Sequence, residues 1–179
     1  KRYAIGNVWR NEKSGNARYR EFTQADVDII GNVNKSQADA EISNIIADTL
    51  IKCGLSEKQF KVNISNRKIV QGLINQLKIT DKVQELKVIR AIDKLDRVGS
   101  KGVEDLLKKE RVDESGAITK GANLSETQAS EILNFLKIKD LESLKPILKN
   151  PLSAEGIKET EDLLEIISYG KCTKLIQPN

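Results

Sequence analysis

Arg10, Glu12, Arg18, Arg20, Phe22, Gln24, Asp26 and Asp28 share the even positions of two alternating stretches and the loop between them. These are RYAIGNVWR (2–10) and ARYREFTQADVDII (17–30). In strands, successive side chains point to opposite faces, so these residues share one face. It runs from guanidinium groups through an aromatic ring and an amide to two carboxylates. A flat ring beside arginines suits a nucleotide, with the base stacked on the ring and the phosphate oxygens forked by guanidinium groups. The carboxylates farther along suit an ammonium group. Ala4 and Gly6 keep the same face of the first strand open, and glycine in a strand often marks close approach of another group. The same pattern also describes a solvated strand face laced with cross-strand ion pairs, which are worth little. Phe22 in the middle of the charged face favours a ligand face. So does the odd face, where Tyr19, Val27 and Ile29 are expected to supply the core.

The elements that must hold this face follow from pattern. The polar NEKSGNA segment, with turn formers Ser14, Gly15 and Asn16, joins the strands into an antiparallel hairpin with a long loop. From Ser36, a candidate N-cap, Ile42, Ile45, Ile46 and Leu50 recur at helical spacing until Gly54. A strand is expected over 60–65 and a helix over 66–77 opened by Asn66. Thr80 is expected to cap a helix carrying Val83, Leu86, Ile89, Ile92 and Leu95. Ser125 and Gln128 form a capping box ahead of Ala129, Ile132, Leu133 and Leu136. Further helices are expected at 140–149 and 154–168, and TKLIQP has strand composition. The fold class is therefore α+β, with sheet-rich ends around a helical centre.

Bulk composition narrows the chemistry. The 179 residues are 39% hydrophobic and 31% charged, the balance of a globular protein. The chain has no histidine, which removes Ser-His-Asp and Cys-His catalysis. Cys53 and Cys172 form no C-x-x-C pair, so no metal site is expected from this chain. Two reduced thiols suit a cytoplasmic protein. No apolar run approaches the roughly 20 residues needed to cross a bilayer, so no membrane partner is expected. A net charge of +4 with pI near 9.0 permits a nucleic-acid partner without demanding one. Residues 78–149 hold 15 basic and 13 acidic residues, and Lys108, Lys109 and Arg111 are the densest basic cluster, with Lys120 beyond it. With no Met and Lys1 at its start, the chain is expected to be an internal piece of a longer polypeptide.

WRNEKSGNARYREFTQADVDIIG resembles motif 2 of a class II aminoacyl-tRNA synthetase, and in particular of the histidyl-tRNA synthetase family. The matching features are Arg, Glu two residues on, a variable loop, Arg-Tyr-Arg-Glu-Phe, a Gln two later, an acid four after that, and Ile-Ile-Gly. ADAEISNIIADTL, VNISNRKI and IRAIDKLDRVG resemble the same family in order and spacing. The resemblance implies part of a class II antiparallel sheet with flanking helices over 1–78, an all-α insertion domain over 79–165 and a return strand over 166–179.

It also implies roles. ATP-dependent ligation of histidine to tRNA(His) would run through a histidyl-adenylate, with Arg10 and Gln24 catalytic. Arg10, Glu12, Arg18 and Phe22 would bind ATP: α-phosphate, adenine amino group, terminal phosphates and adenine ring in turn. Gln24 and Asp28 would hold histidine. Lys108, Lys109, Arg111 and Lys120 would face the tRNA acceptor stem. Mg2+ would be held largely by the nucleotide phosphates, and the longer enzyme would be a cytoplasmic homodimer. Alternatives are the synthetase-like regulatory subunit of ATP phosphoribosyltransferase, and an RNA-binding module whose hairpin is only scaffold. Two departures stand out. Ala17 occupies a position where the family usually has glycine, and the Arg-Gly-Leu-x-Tyr-Tyr-Thr-Gly segment that reads the histidine ring is not in these residues. The chain alone is accordingly expected to be inactive.

Overall fold

The computed structural model describes residues 1–12, 14–15, 18–112 and 118–178, with backbone only at 111 and 112. The element pattern is α+β, and the chain divides into two compact units. One comprises residues 1–62 and 163–176, the other 63–162 and 177–179.

In the first unit, β1 (Arg2–Trp9) and β2 (Glu21–Asp28) pair antiparallel, from Arg2 opposite Asp28 to Trp9 opposite Glu21. Helix α1 (Lys35–Lys52) follows. Its cap is Asn34, whose Oδ1 accepts from the Gln37 N–H at 3.1 Å, rather than Ser36. Either residue can cap, and the chain turns helical at the earlier one. Gly54, at φ +94°, ends the helix in the left-handed region that glycine adopts without strain. Ala40, Ser43 and Ala47 are the buried face of α1. The odd hairpin face does not supply core. Tyr3 is 77% exposed, Ile5 and Trp9 69%, and Tyr19 70%, so among the described residues the alternation does not report burial.

The second unit holds the larger apolar core. Asn66 caps α2 (Arg67–Gln76) as its sequence predicts, accepting from Lys68 N–H at 3.0 Å. Asp81, not Thr80, caps α3 (Lys82–Ile92), accepting from Val83 N–H at 3.0 Å. Helix α4 (Leu95–Lys108) bends at Gly99, whose φ of +67° breaks the helical path. The segment after it forms a short hairpin of β4 (Glu110–Val112) and β5 (Ile118–Lys120), so the helical centre also carries strands. Three-residue strands are too short to show a period of two. Helix α5 (Glu126–Phe135) opens on the Ser125–Gln128 capping box. The 140–149 helix shrinks to α6 (Leu141–Leu144), capped by Asp140. Helix α7 (Pro151–Ser168) starts three residues earlier than expected, with proline at its first position, where a missing N–H costs nothing. Ile69, Leu73 and Ile74 of α2 pack in one core with Val88, Val103, Leu107, Ile132 and Ile157. A short strand β3 (Val62–Ile64) pairs with β6 (Ile176–Pro178), which follows a 3-10 turn.

The α2–α7 contact is close. Lys68 Nζ donates to Glu155 at 2.6 Å and Glu159 at 2.5 Å, and Asn66 Nδ2 donates to Glu159 at 2.8 Å. These carboxylates raise the Lys68 pKa above its ordinary value, chiefly through the hydrogen bond that Lys68 donates to Glu155.

Candidate functional site

The hairpin register sets the order of the even face: Gly6 lies opposite Gln24, Val8 opposite Phe22 and Ala4 opposite Asp26. Because the pairing is antiparallel and unbroken over eight residues, Arg10 at the end of β1 falls beside the start of β2. Its N–H donates to Arg20 O at 2.8 Å. The Arg10 side chain turns back over the face. Its guanidinium carbon lies 5.1 Å from the Phe22 ring centroid, and Nη2 donates to Gln24 Oε1 at 2.8 Å. Gln24 Nε2 in turn donates to Asp26 Oδ1 at 2.7 Å. Arg10, Phe22, Gln24 and Asp26 thus form one connected series along the strand. Phe22 and Gln24 are half-buried, while Arg10 and Asp26 are exposed.

The space beside this series is open. Nothing lies within 4 Å of where a Cβ on Gly6 would sit. A planar group can therefore approach the backbone at Gly6 while touching Phe22 and Gln24.

At the loop end, Glu12 takes two bonds from Arg18, from Nε at 2.6 Å and Nη2 at 2.5 Å, and its carbonyl accepts from Arg20 Nε at 3.1 Å. Arg18 and Gly15 exchange backbone hydrogen bonds, both 3.1 Å. Ala17 lies outside the described residues. The Glu12–Arg18 pair is well exposed, with Arg18 at 62% and Glu12 at 36%, and an ion pair of that kind is worth at most about 1 kcal/mol. An incoming ligand can separate it at small cost. Asp28 stands opposite Arg2 at the far end, exposed and away from the connected series.

The four basic residues of the centre are less uniform. Lys108 Nζ sits on Glu104 at 2.7 Å and Glu126 at 2.5 Å. The Glu104 hydrogen bond is the larger of the two effects raising its pKa. Lys109 is exposed at the end of α4, and its carbonyl accepts from Gly121 N–H. Arg111 pairs through its backbone with Thr119. Lys120 is exposed at the end of β5 and lines a cleft with Lys87, Arg90 and Lys94. The last three were missed in sequence. Their i, i+3, i+7 spacing was available as a signal, but it also marks any solvated helix face.

The fold has relatives among solved structures. The chain superposes on histidyl-tRNA synthetase from Nostoc sp. PCC 7120 with a TM-score of 0.75 and 23% identity, covering 99% of this chain and 39% of that one. It also superposes on an ATP phosphoribosyltransferase regulatory subunit/histidyl-tRNA synthetase from Bacillus halodurans C with a TM-score of 0.69 and 20% identity, covering 97% of this chain and 41% of that one. The class is therefore that of a synthetase-type α+β fold carrying a motif 2-like hairpin. In sequence, residues 2–117 match the histidyl-tRNA synthetase family. The chain is 67% identical over 181 residues to histidine–tRNA ligase of Pelagibacter ubique strain HTCC1062, spanning all of this chain and 39% of that protein. It is 38% identical over 189 residues to the ligase of Ruegeria pomeroyi, again over the whole chain and 38% of the relative. The chain belongs to the histidyl-tRNA synthetase family, and it spans about two-fifths of the length of these relatives.

Proposed function

We propose that the chain is the motif 2 and insertion portion of an enzyme that ligates histidine to tRNA(His) at the expense of ATP. The observation that carries this reading is Arg10, stacked on Phe22 and bonded to Gln24 on an open strand face, in a member of the histidyl-tRNA synthetase family. In this reading a histidine carboxylate oxygen attacks the α-phosphorus of ATP, the bond to the bridging oxygen breaks, and pyrophosphate leaves. A tRNA hydroxyl then attacks the adenylate carbonyl and AMP departs.

Each side chain has a task set by its chemistry. Arg10 carries a permanent charge and a fork of donors, suited to the charge that develops on the α-phosphate. Phe22 offers its ring to adenine. Glu12 accepts from the adenine amino group, and Arg18 reaches the terminal phosphates once the two part. Gln24 orients the histidine carboxylate and Asp28 accepts from the α-ammonium. The open surface at Gly6 fits a bound nucleotide. Among the described residues no three Asp, Glu, Cys or His side chains gather to hold a metal. Mg2+ would be held largely by the nucleotide phosphates, where it would offset the charge of the leaving pyrophosphate.

Residues 79–165 act as the insertion that meets the acceptor stem. Lys109 and Lys120, both exposed, would meet it together with Arg111. Lys108 would first have to leave Glu104 and Glu126. The longer enzyme works as a homodimer in the cytoplasm. Among the described residues no helix is long and apolar enough to cross a membrane.

ATP–pyrophosphate exchange on the longer enzyme tests the proposal. Arg10→Ala is expected to lower the rate by about two to three orders of magnitude, the usual loss when one charge-stabilising donor is removed. Exchange within a few-fold of the unmodified rate would refute the assignment. The likeness to a regulatory subunit of ATP phosphoribosyltransferase favours a second reading, histidine sensing without charging. It would stand if the unmodified enzyme bound histidine yet gave no exchange.

A further inference from the structure

The second unit contains a cleft of about 210 Å³ between α3, α4 and β5, of which the ligase reading uses only Lys120. Ala91 and Leu106 form its floor, and four cations stand around it: Lys87, Arg90, Lys94 and Lys120. Lys87, Arg90 and Lys94 are at i, i+3 and i+7, so the end of α3 and the residue past its cap present them on one side. Lys120 comes from β5, whose far end is tied down from two directions. Ala122 N–H donates to Leu106 O at 2.8 Å, and Gln84 Nε2 donates to Ala122 O at 2.8 Å. The cations are thus carried on elements already fastened to one another.

Among the described residues, no carboxylate neutralises their charge. Elsewhere, Lys68 and Lys108, both half-buried, each rest on two carboxylates. Lys87 and Lys94 are half-buried as well. Yet among the described residues none of the four cleft cations has an ion pair or side-chain hydrogen bond. Three acids of α3 and α4 and their caps are engaged elsewhere. Glu85 pairs with Lys82 at 3.0 Å, Glu104 with Lys108, and Asp81 caps α3. Glu110 faces Lys120 in the backbone register of β4 and β5 without an ion pair between them. Four like charges around one small space repel one another, and partial burial removes some of the water that would screen them.

We propose that this cleft is a phosphate-binding site. Guanidinium and ammonium groups converging from two elements match the several oxygens of a phosphate. The volume lies below the roughly 300–1,000 Å³ that encloses a whole small molecule. It therefore takes one or two phosphate groups of a longer ligand, either a nucleic-acid backbone or a free polyphosphate. The site shares Lys120 with the acceptor-stem assignment but stands on the cleft alone.

The test measures binding of a short RNA duplex and of inorganic pyrophosphate to the 179-residue chain at low and moderate salt. Lys87→Gln/Arg90→Gln keeps most of the side-chain bulk, and circular dichroism checks its fold. RNA affinity falls with salt by roughly 0.7–0.9 log units per log unit for each phosphate neutralised. The double variant is therefore expected to lower that slope by about 1.4–1.8 and to weaken binding at every salt. Lys120→Gln, on a different element, is expected to lower the slope by about 1. Lys145→Gln, whose ammonium is held by Glu142 and Glu161, is expected to leave it unchanged. RNA binding that far exceeds pyrophosphate binding identifies a nucleic-acid backbone as the ligand. Pyrophosphate that competes with RNA and loses affinity in the same variants identifies a free polyphosphate. The proposal is overturned if neither ligand responds to the cleft variants, or if Lys145→Gln matches their effect. Unaltered RNA binding in the cleft variants, with normal pyrophosphate exchange when the same substitutions are made in the longer enzyme, would sink the cleft and leave the ligase reading standing.

Discussion

Gly72→Ala sets two effects of similar size against each other, and the structure decides between them. By helix propensity alone, alanine in the middle of α2 is more stable than glycine by about 1 kcal/mol. Against this, a Cβ at Gly72 would lie 2.0 Å from Ser153 Oγ, 2.6 Å from the Ser153 backbone nitrogen and 2.9 Å from its Cβ. Ser153 is fully buried in α7, and its hydroxyl donates to Ile69 O at 3.2 Å. Rotating the hydroxyl away would leave it without that partner and would not relieve the backbone contact. Next to it, a Cβ on Gly156 would meet Lys68 Cβ at 2.9 Å and Ile69 N at 3.0 Å, so α7 has no free path along α2. Overpacking of this kind costs about 1–3 kcal/mol, and displacing the hydroxyl about 1 more. The net loss is therefore about 1–3 kcal/mol. For a chain of this size that lowers Tm by roughly 2–12 °C, at about 2–4 °C per kcal/mol. Differential scanning calorimetry or a circular-dichroism melt reads it directly. Gly72→Ala/Ser153→Ala is expected to recover part of the loss, because the hydroxyl contact goes and the backbone contact stays. A Tm that rises on Gly72→Ala would show that the helices slide apart freely and that the reasoning fails.

Two further perturbations probe the same unit. The raised pKa of Lys68 contributes stability that is fully present below the ordinary lysine value of 10.5 and is lost as pH climbs through the folded-state value. Thermal unfolding above that pH should therefore show a decline that Lys68→Met flattens; an identical alkaline profile in the variant would refute the role of its two carboxylates. Gln128→Ala removes the return half of the α5 capping box and the bond from Nε2 to Leu77 O at 3.0 Å. It should cost about 1–2 kcal/mol in a urea titration, and an unchanged midpoint would contradict that accounting.

What the residues disclosed on their own depended on how local the determining physics was. The Ser125–Gln128 box and the Asn66 cap were legible because a cap is set within four residues. Asn34 and Asp81 were missed because each stands near another good capping residue, Ser36 and Thr80, and nothing in the string ranks them. The even hairpin face was legible because antiparallel pairing carries Arg10 to Phe22 and Gln24 once the strands are recognised. Its odd face misled: alternation reports which residues share a side, not whether anything covers that side, and Trp9 and Ile5 are exposed. Lys87, Arg90 and Lys94 were invisible as a group because their meaning depends on Lys120, brought to them by a hairpin of two three-residue strands.

The double clamp of Lys68 on Glu155 and Glu159 also bears on the order in which the chain folds. The second unit interrupts the first, whose pieces are separated by residues 63–162. Were those residues still unstructured, joining the two pieces would close a loop of that length, at an entropic cost of about 4 kcal/mol. The clamp joins the beginning of α2 to the middle of α7, close to both ends of the interruption. Once it forms, the interruption behaves as a short connection, and most of that cost has been met before the hairpin and α1 assemble with the end of α7. An order in which the helical unit forms first would thus spare the strand face that carries Arg10 most of that closure cost.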